Sequence, residues 1–408
     1  MRAIQTIKKA INNVRLLLVS DKDWKKPKKK KILIFDARTG QPLLNYIDSN
    51  HASLLYHWRE KSNLYVFLRC MLSFKLSWLE YVKQYIGAVR PAVVITLTDN
   101  SATFYELKTI CRNITTVLVQ ISWRGDQTDI FYYLKTRIDK KKLRVDYMLT
   151  YNEEVGQLYR QYIGGEVISI GSLINNHFKQ TESVSQNTLV FISEFRPPKS
   201  HANSEIKTKT GQHARWEDIY SLERILLPFL ADYCETKGLT LNICGAKNRD
   251  HALEFDFYRR LLGERKWQLI PRSDWYSNYS VINSAGYVVF VNSTLGYESL
   301  ARGKKVACLS ARGNWFQNSS NWKFGWPSEL PDAGPFWTNH ADVREFKRVV
   351  DYVTSVSDED WMETWRQFGP KLMVYDPGNS RLISLLKKLD VPVKIDDQSV
   401  PVLKAIRS

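Results

Sequence analysis

Cysteine, methionine and histidine are scarce in this chain of 408 residues, at five, five and seven. The cysteines (Cys70, Cys111, Cys234, Cys244 and Cys308) are odd in number, far apart and mostly set in apolar runs. That pattern argues against a disulfide framework or a zinc site and fits reduced core thiols in a cytoplasmic compartment. No apolar run reaches the roughly 18 residues needed to cross a bilayer. The start, MRAIQTIKKAINNVRLLLVSDKDW, is amphipathic and basic but has no long apolar core or small-residue cleavage site, so export is not expected. No GxGxxG follows a strand, no GxxxxGK[ST], HExxH or GxSxG occurs, and the histidines stand apart, which weighs against dehydrogenase, P-loop NTPase, zinc hydrolase and α/β-hydrolase chemistry. With no DxD-like pair after an obvious strand, neither a catalytic metal nor a cofactor is expected.

Acidic residues are also short: 42 against 59 basic ones, a net charge of +17. The densest basic cluster runs from Lys22 to Lys31 and calls for a polyanion. No recognition helix, RNA-binding sheet or zinc finger accompanies it, so nucleic acid is not the expected partner. An anionic inner-membrane face fits, since lysines near a lipid surface contribute about 1 kcal/mol each. A solvated tail before the first strand is the plainer alternative.

What the chain does have is a strand and helix alternation, repeated twice. KILIFD (Lys31 to Asp36), Leu64 to Phe67, AVVITLTDN after Pro91, TTVLVQIS (Thr115 to Ser122) and VDYMLTYN (Val145 to Asn152) read as strands, with helices predicted at Trp78 to Ile86 and Ser101 to Cys111. After a polar Ser/Asn/Gln-rich segment, NTLVFISEF opens a second series that continues through a long helix at Trp216 to Lys237, the strand LTLNICG, and the strand, helix and strand of Tyr287 to Ser310. The expected fold is α/β, two doubly wound Rossmann-like domains facing across a cleft. The boundaries read as a basic leader over 1–30, an acceptor-side domain over 31–175, a linker over 176–187, a second domain over 188–386 and a tail over 387–408.

The most informative stretch is VVFVNSTLGYESLARGKKVACLS. A buried strand ends in Asn292, Ser293 and Thr294, where capping hydroxyls and unpaired amides meet the positive end of a helix dipole. A phosphate suits that place, and Glu298 one turn in could reach a ribose. A capped crossover with no ligand accounts for the same residues. Glu194 and Arg196 end the first strand of this half and Arg249 follows the second, so these residues join the candidate donor side. In the first half, Asp99 and Asn100 fall at the carboxyl end of a buried strand, where Asp99 could serve as base or nucleophile or merely cap the next helix. Gln120 and Arg124 end the neighbouring strand; Arg124 could bind an acceptor or pair with Asp126. The turn-rich, aromatic run Lys323 to His340 reads as a lid or a packing flap.

NSTLGYESLARGKKVACLS resembles the donor-site strand, helix and strand of GT-B glycosyltransferases, above all bacterial enzymes related to capsule and lipopolysaccharide Kdo transferases, which share S-[ST]-x-G-x-E-[AS]-L-x-x-G-K-x-V. ITLTDNSATFYELK, VQISWRG, and FGWP with GPFW resemble O-antigen and surface-carbohydrate biosynthesis proteins over roughly Lys31 to Leu386, although that group usually has Gln-Asn-Gly where this chain has Gln120-Ile121-Ser122. The resemblance implies a metal-independent transferase in which Ser293 and Thr294 hold donor phosphate, Glu298 meets the ribose and Asp99 is the catalytic carboxylate. It also implies a nucleotide-sugar substrate in the second domain, with a CMP-linked acidic sugar favoured, and an acceptor in the first. The basic leader, the paired α/β units and the anion-binding helix start add the expectation of a lipid-linked surface glycan as acceptor, at the cytoplasmic side of the membrane. A polyol-phosphate or phosphoribosyl transferase, a nucleotide-sugar epimerase, or a non-enzymatic polyanion-binding protein are the competing expectations.

Overall fold

The computed structural model describes residues 20–56, 60–125, 129–136, 143–178, 185–198, 206–246, 251–274, 276–317 and 320–394. Its central strands are short runs buried at every residue, such as Ile32–Ile34, Val93–Thr96 and Ala285–Phe290, as expected of parallel sheets covered on both faces. The first half contributes β1 (Asp21–Asp23), β2 (Ile32–Ile34), β3 (Ala52–Leu54), β4 (Lys61–Asn63), β5 (Val93–Thr96), β6 (Thr115–Val119), β7 (Arg144–Thr150) and β8 (Gly164–Ser169). The second contributes β9 (Ser185–Ile192), β10 (Thr240–Cys244), β11 (Gln268–Ile270), β12 (Ala285–Phe290), β13 (Lys305–Leu309), β14 (Ala333–Gly334) and β15 (Trp337–Thr338).

Two sheets result, with strand orders β3-β2-β5-β6-β7-β8 and β11-β10-β9-β12-β13-β15-β14, while β1 and β4 pair separately. Every pairing in the first sheet is parallel. In the second only β14 with β15 is antiparallel. That hairpin belongs to the aromatic run Lys323 to His340, whose Phe324, Phe336 and Trp337 lie in the core of the second half, so the run is a packing flap. The α/β class with two parallel sheets is therefore as expected.

Several local expectations change. Leu64 to Phe67 is helical, not a strand: the helix Leu64–Leu72 starts where the Asn63 side chain accepts from the Val66 amide at 3.0 Å. Four apolar residues do not distinguish the two states, and the capping Asn with the apolar residues beyond it decides. The long helix at Trp216 to Lys237 is two, Trp216–Ile219 and Glu223–Lys237.

The end of the chain does not stay with the second half. In the helix Ser380–Lys388, Leu382, Leu385 and Leu386 pack with Ile32, Ile34, Val93 and Ile95 on one face of the first sheet. The returning segment runs beside the outgoing one: Asn176 Nδ2 donates to Asn379 Oδ1 at 3.1 Å, and Asn379 Nδ2 donates to the Leu173 carbonyl at 2.9 Å. Gly171, at φ +72°, bridges Tyr375, and a Cβ there would stand 1.8 Å from the Val374 carbonyl oxygen. The polar Asn175 and Asn176 that resemble linker residues are thus fully buried parts of a double crossing.

Candidate active site

Strand β12 is buried at every residue, and the chain turns directly from it into the helix Thr294–Ala301. Gly296 allows the helix to lie on its own strand, since a Cβ there would come within 2.1 Å of the Phe290 ring. Ser293 is the cap, its hydroxyl accepting from the Leu295 amide at 3.3 Å. Ser293 and Thr294 are both half-buried. Asn292 is fixed from three sides: its amide donates to Glu194 Oε1 at 2.6 Å, and its Nδ2 donates to Ser310 Oγ at 2.7 Å and to the Trp322 carbonyl at 3.0 Å. Asn292 and Glu194 therefore lock together the carboxyl ends of β9, β12 and β13, while Asn292 Oδ1 has no hydrogen-bond partner.

Beneath them lies Arg312, which the sequence did not single out. It donates to Glu194 Oε2 at 2.8 Å and also pairs with Glu223. Burial works against its charge, but the two carboxylates outweigh that and hold its pKa above the ordinary range. Burial likewise raises the Glu223 carboxyl, against the pull of Arg312. Arg196 is exposed at the same rim, its amide donating to Tyr220 Oη at 2.8 Å. Arg249 lies outside the described residues. Arg272, just past β11, is near enough to Glu298 to act on its charge. Its three-residue strand, QLI, was too short to signal this from sequence.

At the edge of the first sheet, Asp99 is fully buried. Its Oδ1 accepts from Arg124 Nε at 2.9 Å and from a second Arg124 nitrogen, and its Oδ2 accepts the amides of Ile121 and Ser122 at 3.2 and 3.4 Å. Burial raises its carboxyl above the usual range while Arg124 and the Ile121 amide pull it down. Both oxygens are taken and neither meets solvent, so the expected catalytic carboxylate is instead the anchor of the loop after β6. Arg124 is spent on Asp99, with Asp129 3.7 Å away, rather than turned to an acceptor. Asp126 lies outside the described residues. Gln120 is also internal: its Oε1 accepts the Tyr151 amide at 2.9 Å and its Nε2 donates to the Ser122 carbonyl at 3.0 Å. Of the acceptor-side set only Asn100 is exposed.

The two edges meet. The Trp123 amide donates to Thr294 Oγ1 at 3.2 Å, and the Trp123 ring stacks on Tyr297 with centroids 4.2 Å apart and planes 7° from parallel. Glu298 accepts from Ser172 Oγ of the first half and, at 2.8 Å, from Tyr279 Oη. It is buried, and burial raises its carboxyl despite those donors. Glu298 is accordingly occupied in joining the halves, where a ribose contact was expected. His177 stands at the same junction, Nδ1 3.0 Å from Tyr46 Oη and its ring beside Tyr276, with burial lowering its pKa. Long-range contacts of this kind leave no spacing signal in the sequence. Among the described residues no group of three or more His, Cys, Asp or Glu is placed to hold a metal.

Two mainly parallel α/β sheets meeting at their carboxyl edges make up the GT-B fold, which the chain shares with solved epimerase structures. A "putative UDP-N-acetylglucosamine 2-epimerase" from Listeria monocytogenes is similar at TM-score 0.54 and 13% identity, over 93% of this chain and 100% of that one. The UDP-GlcNAc 2-epimerase of Methanocaldococcus jannaschii is similar at TM-score 0.50 and 10% identity, over 88% and 99%. The pneumococcal O-GlcNAc transferase GtfA is similar at TM-score 0.43 and 13% identity, over 76% and 60%. No curated protein matches the chain. Residues 117–390 match the family described as "putative O-antigen biosynthesis protein", and the chain belongs to that family.

Proposed function

We propose that the protein is a glycosyltransferase that moves a sugar from a nucleotide-sugar donor, held by the second half, to a lipid-linked surface glycan such as O-antigen or capsule, held by the first. The observation that carries this reading is the start of the helix Thr294–Ala301, where the half-buried Ser293 and Thr294 hydroxyls sit at a parallel-sheet edge and face the loop after β6. Membership of an O-antigen family supplies the carbohydrate context. The Ser293 and Thr294 hydroxyls and the positive end of the dipole stabilise the leaving phosphate as its charge develops, and Arg196 and Arg272 supply further positive charge. No metal is called for in this scheme. Asp99 and Arg124 position the Ile121 to Trp123 loop against the donor helix, and Asn100 offers an exposed acceptor contact. The work is placed on the cytoplasmic face of the membrane, and a CMP-linked acidic sugar is the favoured donor, on the resemblance of residues 292–310.

The test is calorimetric titration of CMP-, UDP- and GDP-sugars against the wild type and Ser293→Ala/Thr294→Ala. Loss of hydrogen bonds to a charged phosphate is expected to weaken the preferred donor about tenfold or more. Undiminished binding sinks the donor-site assignment.

A nucleotide-sugar 2-epimerase is the second reading, favoured by the two epimerase structures at TM-scores of 0.54 and 0.50. Product identification separates them: release of nucleotide with glycosylated acceptor for the transferase, an isomerised nucleotide sugar without acceptor for the epimerase.

A further inference from the structure

The large apolar side chains exposed among the described residues are concentrated. Six of eleven fall between Trp24 and Leu76: Trp24, Leu68, Met71, Leu72, Phe74 and Leu76, with Phe74 95% and Leu72 80% exposed. Single exposed apolar residues are ordinary, but a contiguous set marks an interaction surface. Leu68, Met71 and Leu72 share the outward face of the helix Leu64–Leu72, whose Val66 and Cys70 point inward. The turn after it is held in place: the Phe74 amide donates to the Met71 carbonyl at 2.9 Å, and the Lys75 amide to the Cys70 carbonyl at 3.1 Å. Phe74 itself sits at φ +54°, an unfavourable conformation for a bulky residue, with its ring directed to solvent.

Cations frame this surface. Arg69 and Lys75 are exposed within it. From Trp24 to Lys31 six of eight residues are lysine. That strap is fixed to the apolar helix: β1 pairs with β4, Asn63 Nδ2 donates to the Lys25 carbonyl at 2.8 Å, and Lys26 Nζ lies 6.0 Å above the Tyr65 ring. A second copy of the chain would bring the same lysines face to face. A sheet of lipid phosphates over an apolar layer matches both the charge and the exposed carbons.

The position also fits. The helix Trp78–Val89 leads into β5, and its carboxyl end is tied to the amino edge of the first sheet by the Lys30 amide donating to the Val89 carbonyl at 3.1 Å. Its Ser77 end, with the Leu72 to Leu76 turn before it, therefore stands at the opposite edge, the one that carries Asn100 and the cleft.

We propose that this face docks on an anionic lipid bilayer, with Leu68, Met71, Leu72, Phe74 and Leu76 entering the headgroup boundary and the Lys25 to Lys30 strap engaging lipid phosphates, so that the cleft opens onto the membrane surface. The proposal rests on the reading of a lipid-linked acceptor for its purpose. Among the described residues no helix is long and apolar enough to cross a membrane, so attachment through this face would be peripheral.

Flotation of the full chain with phosphatidylglycerol/phosphatidylcholine vesicles and with pure phosphatidylcholine vesicles tests it, with no nucleotide or acceptor present. The variants are Leu72→Asp/Phe74→Asp and Lys25→Glu/Lys28→Glu/Lys29→Glu, all at exposed positions, with thermal unfolding as the check that they fold. The wild type is expected to bind anionic vesicles in a salt-sensitive way, and each variant to bind at least about tenfold more weakly. Binding that survives both variants belongs to another part of the chain, such as residues 1–19, and overturns the proposal. So do equal binding to neutral vesicles, or a wild-type dimer that Leu72→Asp/Phe74→Asp dissolves. Donor titration on the same variants keeps the two readings apart: unaltered nucleotide-sugar affinity with lost flotation supports docking. Flotation in a chain that binds no nucleotide sugar retains docking and fails the transferase.

Discussion

The main-chain amide of Trp123 and the hydroxyl of Thr294, 171 residues apart, form a hydrogen bond of 3.2 Å that fastens the loop after β6 to the first turn of the candidate donor helix. The Trp123 ring extends this contact by stacking on Tyr297, which in turn stacks on Phe324 with centroids 5.5 Å apart. Any ligand at Ser293 and Thr294 therefore feels the first half of the molecule.

Trp123 and Tyr297 should be energetically coupled. Trp123→Ala is expected to cost about 3 kcal/mol of unfolding free energy, and a double-mutant cycle with Tyr297→Ala to give a coupling of about 1 kcal/mol. Urea unfolding measures both quantities. Strictly additive effects would show that the stacked rings do not hold the halves together.

Asp99→Asn distinguishes an anchor from a catalyst. Loss of an anchor whose four accepted hydrogen bonds fix a loop should lower stability by roughly 2–4 kcal/mol, because Arg124 keeps only the more distant Asp129, 3.7 Å away, as its counter-charge. Arg124→Gln should then reproduce the effect. A carboxylate acting in proton transfer would instead lose about 100-fold or more in kcat with stability unchanged, and that outcome would restore the role expected from sequence.

Arg312→Met leaves the buried Glu223 and the partly buried Glu194 side by side without their cation. A loss of about 3–5 kcal/mol is expected, partly recovered by adding Glu223→Gln. Donor affinity should fall as well, because Glu194 orients Asn292. A cost below about 1 kcal/mol in chemical denaturation would contradict the arrangement.

Lys304 gives a pH dependence of defined sign. Its Nζ donates to the Ala285 and Asn283 carbonyls at 2.6 and 3.1 Å, and burial, with Arg302 adding to it, pushes its pKa down from 10.5 to about 8. The folded state thus binds the proton less tightly than the unfolded state. Its contribution to stability is full above pH 10.5 and is lost as pH falls toward 8. Relative to Lys304→Met, the wild type should therefore gain up to about 3 kcal/mol between pH 8 and pH 10.5. A flat difference across that range would refute the assignment.

The strands, the doubled alternation and the strand-to-helix turn at Ser293 were legible because each rests on neighbours in sequence: apolar runs, capping hydroxyls, and a glycine where helix meets strand. Asp99, Gln120 and Glu298 were found at the right edges for the same reason. Their partners were not, since Arg124 on Asp99, Tyr151 on Gln120 and Ser172 on Glu298 are set by how strands lie side by side and by how the halves meet. A polar residue at a strand end looks the same whether it faces a cleft or closes a buried network. Leu64 to Phe67 shows the local limit, for its apolar residues suit either state until Asn63 is recognised as a cap.

The return of the Ser380–Lys388 helix makes the first sheet depend on residues about 350 positions beyond its first strand, Ile32–Ile34. A fragment ending at the linker would expose Ile32, Ile34, Val93 and Ile95, the side chains that Leu382, Leu385 and Leu386 cover. No single cut divides this protein into two self-sufficient pieces. Expressing the acceptor half alone would require grafting the last helix back onto it.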